Sequence, residues 1–278
     1  MDTLLAFVLI LLLGALCAGL LGSLTGLGGG VVIIPLLTLG FDVDFHYAIG
    51  AALVASIATS SGAAAAYVRD GFTNLRLGMF LEVATAIGAI GGTIAALWLP
   101  INMVAIIFGV MLLFTAAMTI RPHVKHAHIQ GSRLAQRLRL HGDYPTSNGR
   151  ESYQLTGVVS GWLLMVIAGV LSGLLGIGSG VLKVLAMDTV MKAPFKVSTT
   201  TSNFMIGVTA ATGAIIYFQR GYIVPLIGFP VMIGVLAGAL LGARLLPRMK
   251  VIWLRRILAI AILTVALNII YNGISGKF

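Results

Sequence analysis

The residues best suited to chemistry are two glycine clusters, Thr25-Gly26-Leu27-Gly28-Gly29-Gly30 and Leu175-Gly176-Ile177-Gly178-Ser179-Gly180, each set in apolar sequence. Neither matches G-x-G-x-x-G or opens a soluble βαβ unit, so a nucleotide site is excluded. Consecutive glycines interrupt a helix and expose backbone N–H and C=O groups that apolar surroundings cannot satisfy. A short apolar segment follows each cluster, 30 to 41 and 180 to 191. The unpaired N–H groups at such a helix start, with the positive end of the helix dipole, make an anion site from backbone alone. The candidate contacts are Gly28, Gly29 and Gly30 in one cluster and Gly178, Ser179 and Gly180 in the other. The competing reading is close helix packing, which the spacing of Gly88, Gly92, Gly238 and Gly242 fits best.

Lys183 stands three residues after Gly180 and in the first turn of the expected short helix. A lysine in apolar sequence at the positive end of a helix needs compensation. A bound oxyanion supplies it simply; Asp188 or Glu82 is the purely structural alternative. Further along, Ser198-Thr199-Thr200-Thr201-Ser202-Asn203 opens the next apolar segment. Ser202 and Asn203 either bind a ligand or cap the helix and bond across to its neighbours. Thr59, Ser60 and Ser61 lie mid-helix and are expected to bond their own backbone. Glu82 is a candidate carrier of a coupling proton, although pairing with Arg76 is the reading its position favours. His123, His126 and His128, with His141, lack the cysteine or carboxylate that completes a tetrahedral metal set, and a solvated basic loop is expected there. No Ser-His-Asp arrangement, H-E-x-x-H or mid-span aspartate pair is present, so neither an enzyme nor a cofactor is indicated.

The elements that must hold these residues follow from composition. Of 278 residues 59% are hydrophobic and 9% charged, with 18 Lys plus Arg against 8 acids. A soluble domain carries about 25% charged residues, so lipid surrounds most of this chain. The basic excess lies between apolar segments and marks membrane orientation, not nucleic-acid binding. Nearly uncharged stretches run 4 to 22, 47 to 68, 77 to 99, 101 to 120, 153 to 175, 197 to 218, 222 to 243 and 257 to 272. About 20 helical residues cross a bilayer core, and the last stretch suffices if Arg255 and Arg256 reach back to the interface. The first is a retained span and not a signal peptide, because no Lys or Arg precedes it. Cys17, the single cysteine, reads as a small packing residue.

An internal repeat organises the spans. Residues 18 to 92 superpose without a gap on 168 to 242, aligning Gly19, Gly26, Gly28, Gly30, Gly71, Gly78, Gly88 and Gly92 with glycines, and Phe45, Thr59 and Tyr67 with Phe195, Thr209 and Tyr217. Two homologous halves, 1–121 and 153–278, are thus joined by a polar linker, 122–152. Within the linker, 132 to 140 can form an amphipathic helix on an anionic leaflet. Counting the short segments as crossings gives each half five helical elements, an odd number, so the second half is inverted. With the linker in the cytoplasm, every basic residue except Lys183, Arg220 and Lys277 then lies inside, as the positive-inside rule asks. The expected fold is an all-α polytopic membrane protein with inverted five-element halves and glycine-broken short helices, in the cell inner (plasma) membrane.

Gly26-Leu27-Gly28-Gly29-Gly30 with Pro35 five positions on, the second cluster, Lys183, the run Thr201 to Ala210, and Gly238 to Arg244 together resemble the TauE/SafE sulfite exporter family, also called the toluene-sulfonate uptake permease family. The resemblance covers nearly everything outside the linker. It implies movement of sulfite, sulfonates, sulfoacetate or other small organic anions without ATP. The sequence departs from the family pattern at Leu185, where a proline is expected, at Ser179 in place of glycine, and at Ala51-Ala52 where Thr-Ser is common. The function expected is a secondary transporter, an exporter of such anions by alternating access, coupled to a proton or a sodium ion and monomeric or oligomeric. An anion channel of similar architecture is the first alternative; a non-transporting membrane subunit or sensor, in which the glycine breaks serve packing only, is the second.

Overall fold

The computed structural model describes residues 2–26, 28–120, 131–146, 149–245 and 252–277, with the side chains of 2–5, 25, 119–120, 252–258 and 261 outside the description. His123, His126 and His128 lie outside the described residues, as does Leu27.

Before the linker the chain forms α1 (Asp2–Thr25), α2 (Gly30–Gly40), α3 (Phe45–Arg69), α4 (Leu75–Trp98) and α5 (Ile101–Ile120). After it come α7 (Val158–Leu175), α8 (Gly180–Leu185), α9 (Phe195–Gln219), α10 (Pro225–Leu245) and α11 (Ile252–Ile274). A π-helical turn, Ala186–Val190, prolongs α8. Among the described residues, seven helices are long and apolar enough to cross a membrane, while Gly30–Gly40 and Ile262–Ile274 are shorter apolar pieces. Their outward faces remain apolar: Leu13, Ile87, Leu163, Ile167, Phe229 and Ile260 are all exposed. Such a surface is stable only in lipid, so the protein is a multi-pass membrane protein. Cys17 is on that surface too, so it is a lipid-facing residue and not the packing residue its type suggested.

Local chemistry sets the helix ends. The Asp44 carboxylate accepts the His46 N–H ahead of α3, and the Asn74 side chain accepts the Leu77 N–H ahead of α4, each taking up an otherwise orphaned donor. Gly26, Gly28, Gly176 and Gly178 all have left-handed backbone, with φ of 75°, 78°, 68° and 69°. That conformation, costly for a side-chain-bearing residue, is what ends α1 and α7.

Glycine contacts between helices recur at positions 150 residues apart. Gly88 and Gly92 of α4 lie against the backbone of Val166 and Val170 in α7, and Gly238 of α10 lies against Leu16 and Leu20 in α1. Gly169 of α7 meets Thr85 of α4, and Gly19 of α1 meets Val235 of α10. Each contact therefore recurs with the halves exchanged. These glycines permit backbone-to-backbone approach, the role their spacing indicated.

The linker is folded where it is described. It contains α6 (Arg133–Arg137) and a hairpin of β1 (Gly142–Thr146) and β2 (Gly149–Tyr153), paired antiparallel from Gly142 with Tyr153 to Thr146 with Gly149. This corrects the all-helical expectation and replaces a loop with a hairpin over 142–153, while β2 and His141 are exposed as a solvated stretch would be; the helix of the linker is shorter than 132 to 140. The reason is burial: Ala135, Leu140 and Leu155 join Leu77, Leu81, Met187 and Met191 in a continuous apolar cluster. Apolar character from 153 onward likewise enters a helix only at Val158, after Gly157 has turned the chain with left-handed backbone.

The α4–α7 interface makes a paired test. A methyl at Gly92 would run into the Val170 carbonyl, whereas one at Gly91 meets nothing within 4 Å. Gly92→Ala is expected to destabilise by about 1–3 kcal/mol through overpacking and Gly91→Ala to leave stability unchanged, read as thermal loss of the monodisperse peak in detergent.

Candidate functional site

The two glycine breaks face each other at the junction of the halves. A Cβ at Gly28 would stand 3.5 Å from Ile206 Cγ2 and 3.7 Å from the Ile177 carbonyl, and one at Gly178 would stand 2.7 Å from the same Ile206 methyl. Gly30 approaches the Gly176 carbonyl and Ser56 Oγ, Gly26 approaches Thr199, and Gly176 approaches Ile49. All of them are buried. Ile206 of α9 thus separates two backbone breaks contributed by different halves.

Polar groups brace this crossing. The Gly29 N–H donates to Thr59 Oγ1 at 3.1 Å, and that hydroxyl donates to the Ala55 carbonyl at 2.8 Å. Ser202 Oγ donates to the Gly180 carbonyl at 3.2 Å, and Asn203 Nδ2 donates to the Ser23 carbonyl at 3.3 Å. Tyr67 OH donates to the same Ser23 carbonyl at 3.1 Å. Ser60 Oγ donates to the Asn203 carbonyl, so it ties α3 to α9 and does not bond its own helix, while Thr59 and Ser61 do. Around these bonds lie buried polar atoms with no hydrogen-bond partner among the described residues: Ser179 Oγ, Asn203 Oδ1, Ser56 Oγ and Thr199 Oγ1. Such atoms are rare in folded proteins, and several together mark a place for water or a ligand.

Lys183 is wholly buried. Its Nζ donates to Thr209 Oγ1, which lies 2.7 Å from Glu82 Oε1 and 3.0 Å from the Met205 carbonyl. Glu82 is buried as well, and its Oε2 has no partner among the described residues. An ammonium of one half and a carboxylate of the other are therefore joined through one threonine hydroxyl. This corrects the pairing of Glu82 with Arg76, whose guanidinium points to the linker and donates to the Arg139 carbonyl at 3.3 Å. It also removes the argument that Lys183 lacks compensation, because Glu82 provides it. A buried charge keeps its ionised form only when paired and hydrogen-bonded.

Thr209 is the participant that sequence reasoning passed over. The available signal was its identity with Thr59 in the repeat. The two mates do parallel work: Thr59 holds the Gly29 N–H beside the first break, and Thr209 holds Lys183 beside the second.

A family model described as Sulfite exporter TauE/SafE matches residues 11–269. The chain belongs to this family of membrane transporters. It is 28% identical over 277 residues to a "Probable membrane transporter protein YunE" of Bacillus subtilis (strain 168), covering 97% of this chain and 99% of that protein. It is 26% identical over 229 residues to a "Probable membrane transporter protein YdhB" of the same organism, covering 81% of this chain and 85% of that one. No solved structure matches.

Thr209→Val removes the hydroxyl between Lys183 and Glu82 while keeping its volume. Both charged groups then lose a buried hydrogen bond, so stability is expected to fall by about 1–3 kcal/mol, and Thr209→Ser is expected to retain most of it. Melting temperatures of the two variants in one detergent check this; equal values would show that the hydroxyl carries no energy.

Proposed function

We propose that this transporter is a secondary exporter of sulfite, sulfonates or other small organic anions, working by alternating access with its anion at the crossing of the two glycine breaks. The observation that carries the reading is the group of unpartnered buried polar atoms where the breaks face each other, one helical turn from a buried lysine. Backbone N–H groups of Gly28, Gly30, Gly178, Ser179 and Gly180 surround the oxyanion, with Gly29 held to Thr59 as the fixed edge. Lys183 supplies the charge. Ser202 and Asn203 keep the breaks open through their bonds to the Gly180 and Ser23 carbonyls, and Asn203 has a second amide hydrogen for the anion.

In this mechanism Glu82 is the resident counter-ion of Lys183. An arriving anion competes for the same ammonium, and two buried negative charges beside one positive charge are unfavourable. Binding of the anion is then linked to protonation of Glu82, which makes the proton the coupling ion. Anion and proton leave together, so a high cytoplasmic anion concentration drives net export. The contacts of α1 with α10 and of α4 with α7 each join a helix of one half to a helix of the other, so in this mechanism the bodies that rock against each other are assembled from both halves of the inverted repeat.

Two experiments test this reading. In proteoliposomes, flux of a sulfonate, whose own charge is constant across the pH range, is expected to rise as pH falls on the loading side. Gly178→Leu is expected to abolish it with membrane insertion intact. Lys183→Gln should cost about 1.5–3 kcal/mol of affinity through loss of a charge-assisted bond. Glu82→Gln should bind yet lose the pH dependence; retained pH dependence in that variant would remove Glu82 from the mechanism. For topology, cysteines at Ser152 and Ser275 in a Cys17→Ala background are expected to label from opposite sides of the membrane, and labelling from one side overturns the inverted arrangement.

A further inference from the structure

The folded linker encloses a cleft of about 330 Å³ against the end of the membrane domain, lined by Phe72 to Arg76 of the α3–α4 turn and by Arg139, His141, Gly142, Asp143 and Tyr153. Three features of its walls converge. Arg76 donates to the Arg139 carbonyl, which draws two guanidinium-bearing residues onto one cleft. Among the described residues neither forms an ion pair, with Asp143 or any other carboxylate. Arg139 itself occupies left-handed backbone, φ 52°, at the end of α6. Helices ordinarily place glycine or asparagine there, and a strained residue kept at a cleft points to work done by its side chain. The third feature is a set of free donors. Thr73 Oγ1 is buried without a partner, and Tyr153 OH accepts from Asn74 Nδ2 at 2.7 Å, leaving its own proton to donate. Burial pushes the Tyr153 hydroxyl up to about 12, so that proton stays in place.

The lining thus brings together two arginines, a histidine and two hydroxyl-bearing residues against one aspartate. We infer that this cleft is a second oxyanion site, separate from the glycine crossing, which takes a small tetrahedral anion of the sulfate, sulfonate or phosphate class. Arginine forks suit such ligands because they donate in parallel to two oxygens. The floor of the cleft is joined to the membrane domain: Thr200 Oγ1 donates to the Phe72 carbonyl at 2.9 Å, and the Asn74 N–H donates to Thr201 Oγ1 at 3.1 Å. These threonines belong to the polar run that ends at Ser202 and Asn203. On the transport reading above, the cleft is a waiting site on the linker side of the crossing; the existence of the site does not depend on that reading.

The test is calorimetric titration of inorganic sulfate into the full-length protein in neutral detergent at constant ionic strength. In a Lys183→Gln background, which silences the crossing, one saturable site is expected. Adding Arg139→Gly should weaken it at least tenfold. Because glycine is at ease in left-handed backbone, the melting temperature without sulfate should not fall, so lost binding is not lost folding. Absence of a saturable site in Lys183→Gln, or an unchanged Kd after Arg139→Gly, overturns the proposal. If Lys183→Gln does not stay monodisperse, Arg139→Gly in the otherwise native chain should convert a two-site isotherm to one site, and two remaining sites overturn it equally. Nanodiscs distinguish the two sources of such an anion. Sulfate displaced in phosphatidylglycerol but not in phosphatidylcholine assigns the site to a lipid headgroup, and equal Kd values assign it to the soluble anion. Sulfate binding here with no anion flux in liposomes would defeat the transport reading and leave this one standing.

Discussion

Backbone in a membrane must find its hydrogen-bond partners inside the protein, since lipid offers none. This chain breaks its helical path once early in each half, between α1 and α2 and between α7 and α8, so it carries donors and acceptors that no helix ladder absorbs. Much of the surrounding polarity answers that demand. The Gly29 N–H goes to Thr59, the Gly180 carbonyl takes Ser202, and the Ser23 carbonyl takes both Tyr67 and Asn203. Remove these side chains and the breaks would close into continuous helix or draw in water. The close packing of α1 with α10 and of α4 with α7, at glycines that tolerate no added carbon, holds the outer walls so that the breaks remain opposed.

A second constraint is nested in the first. Lys183 is buried at the start of a helix, where the dipole already disfavours a cation. A direct ion pair with Glu82 is not what the structure builds; Thr209 stands between them. A hydroxyl intermediary accepts from the ammonium and lies within reach of the carboxylate, so the two charges are coupled without being locked in contact. A contact pair in a low-dielectric interior would be hard to separate. An interposed hydroxyl keeps the two charges apart, and Oε2 of Glu82 has no hydrogen-bond partner among the described residues.

How much of this was legible in the sequence follows from the range of the forces involved. The spans, the two broken helices and the repeat rest on local composition and on glycine placement, which sequence displays directly. So did the packing role of Gly88, Gly92, Gly238 and Gly242, because their spacing puts them on one helix face. Glu82 and Lys183 stand out as charges in apolar segments, but which charge meets which depends on how α4 lies against α9, and nothing local encodes that crossing. Arg76 was the nearer cation in sequence and the wrong partner in space. Thr209 was hidden by its ordinariness: a threonine within a helix usually bonds its own backbone, and this one does so as well, to Met205. The linker was misread because its apolar residues, Ala135 and Leu140, are too sparse for a periodic signal and find their burial only against Leu155, α4 and the π-helical turn.

The repeat is faithful in its scaffold and unfaithful in its chemistry. Packing glycines recur in both halves, yet Lys183 has Ile33 as its mate, itself buried in apolar surroundings, Glu82 has Met232, and Thr201-Ser202-Asn203 has Ala51-Ala52-Leu53. Two chemically identical halves would offer the same surroundings at either glycine break. Here the buried lysine and the run of hydroxyls belong to the second break alone, while the first is lined at the matching positions by aliphatic residues. Charge is therefore confined to one of two otherwise equivalent places in the scaffold.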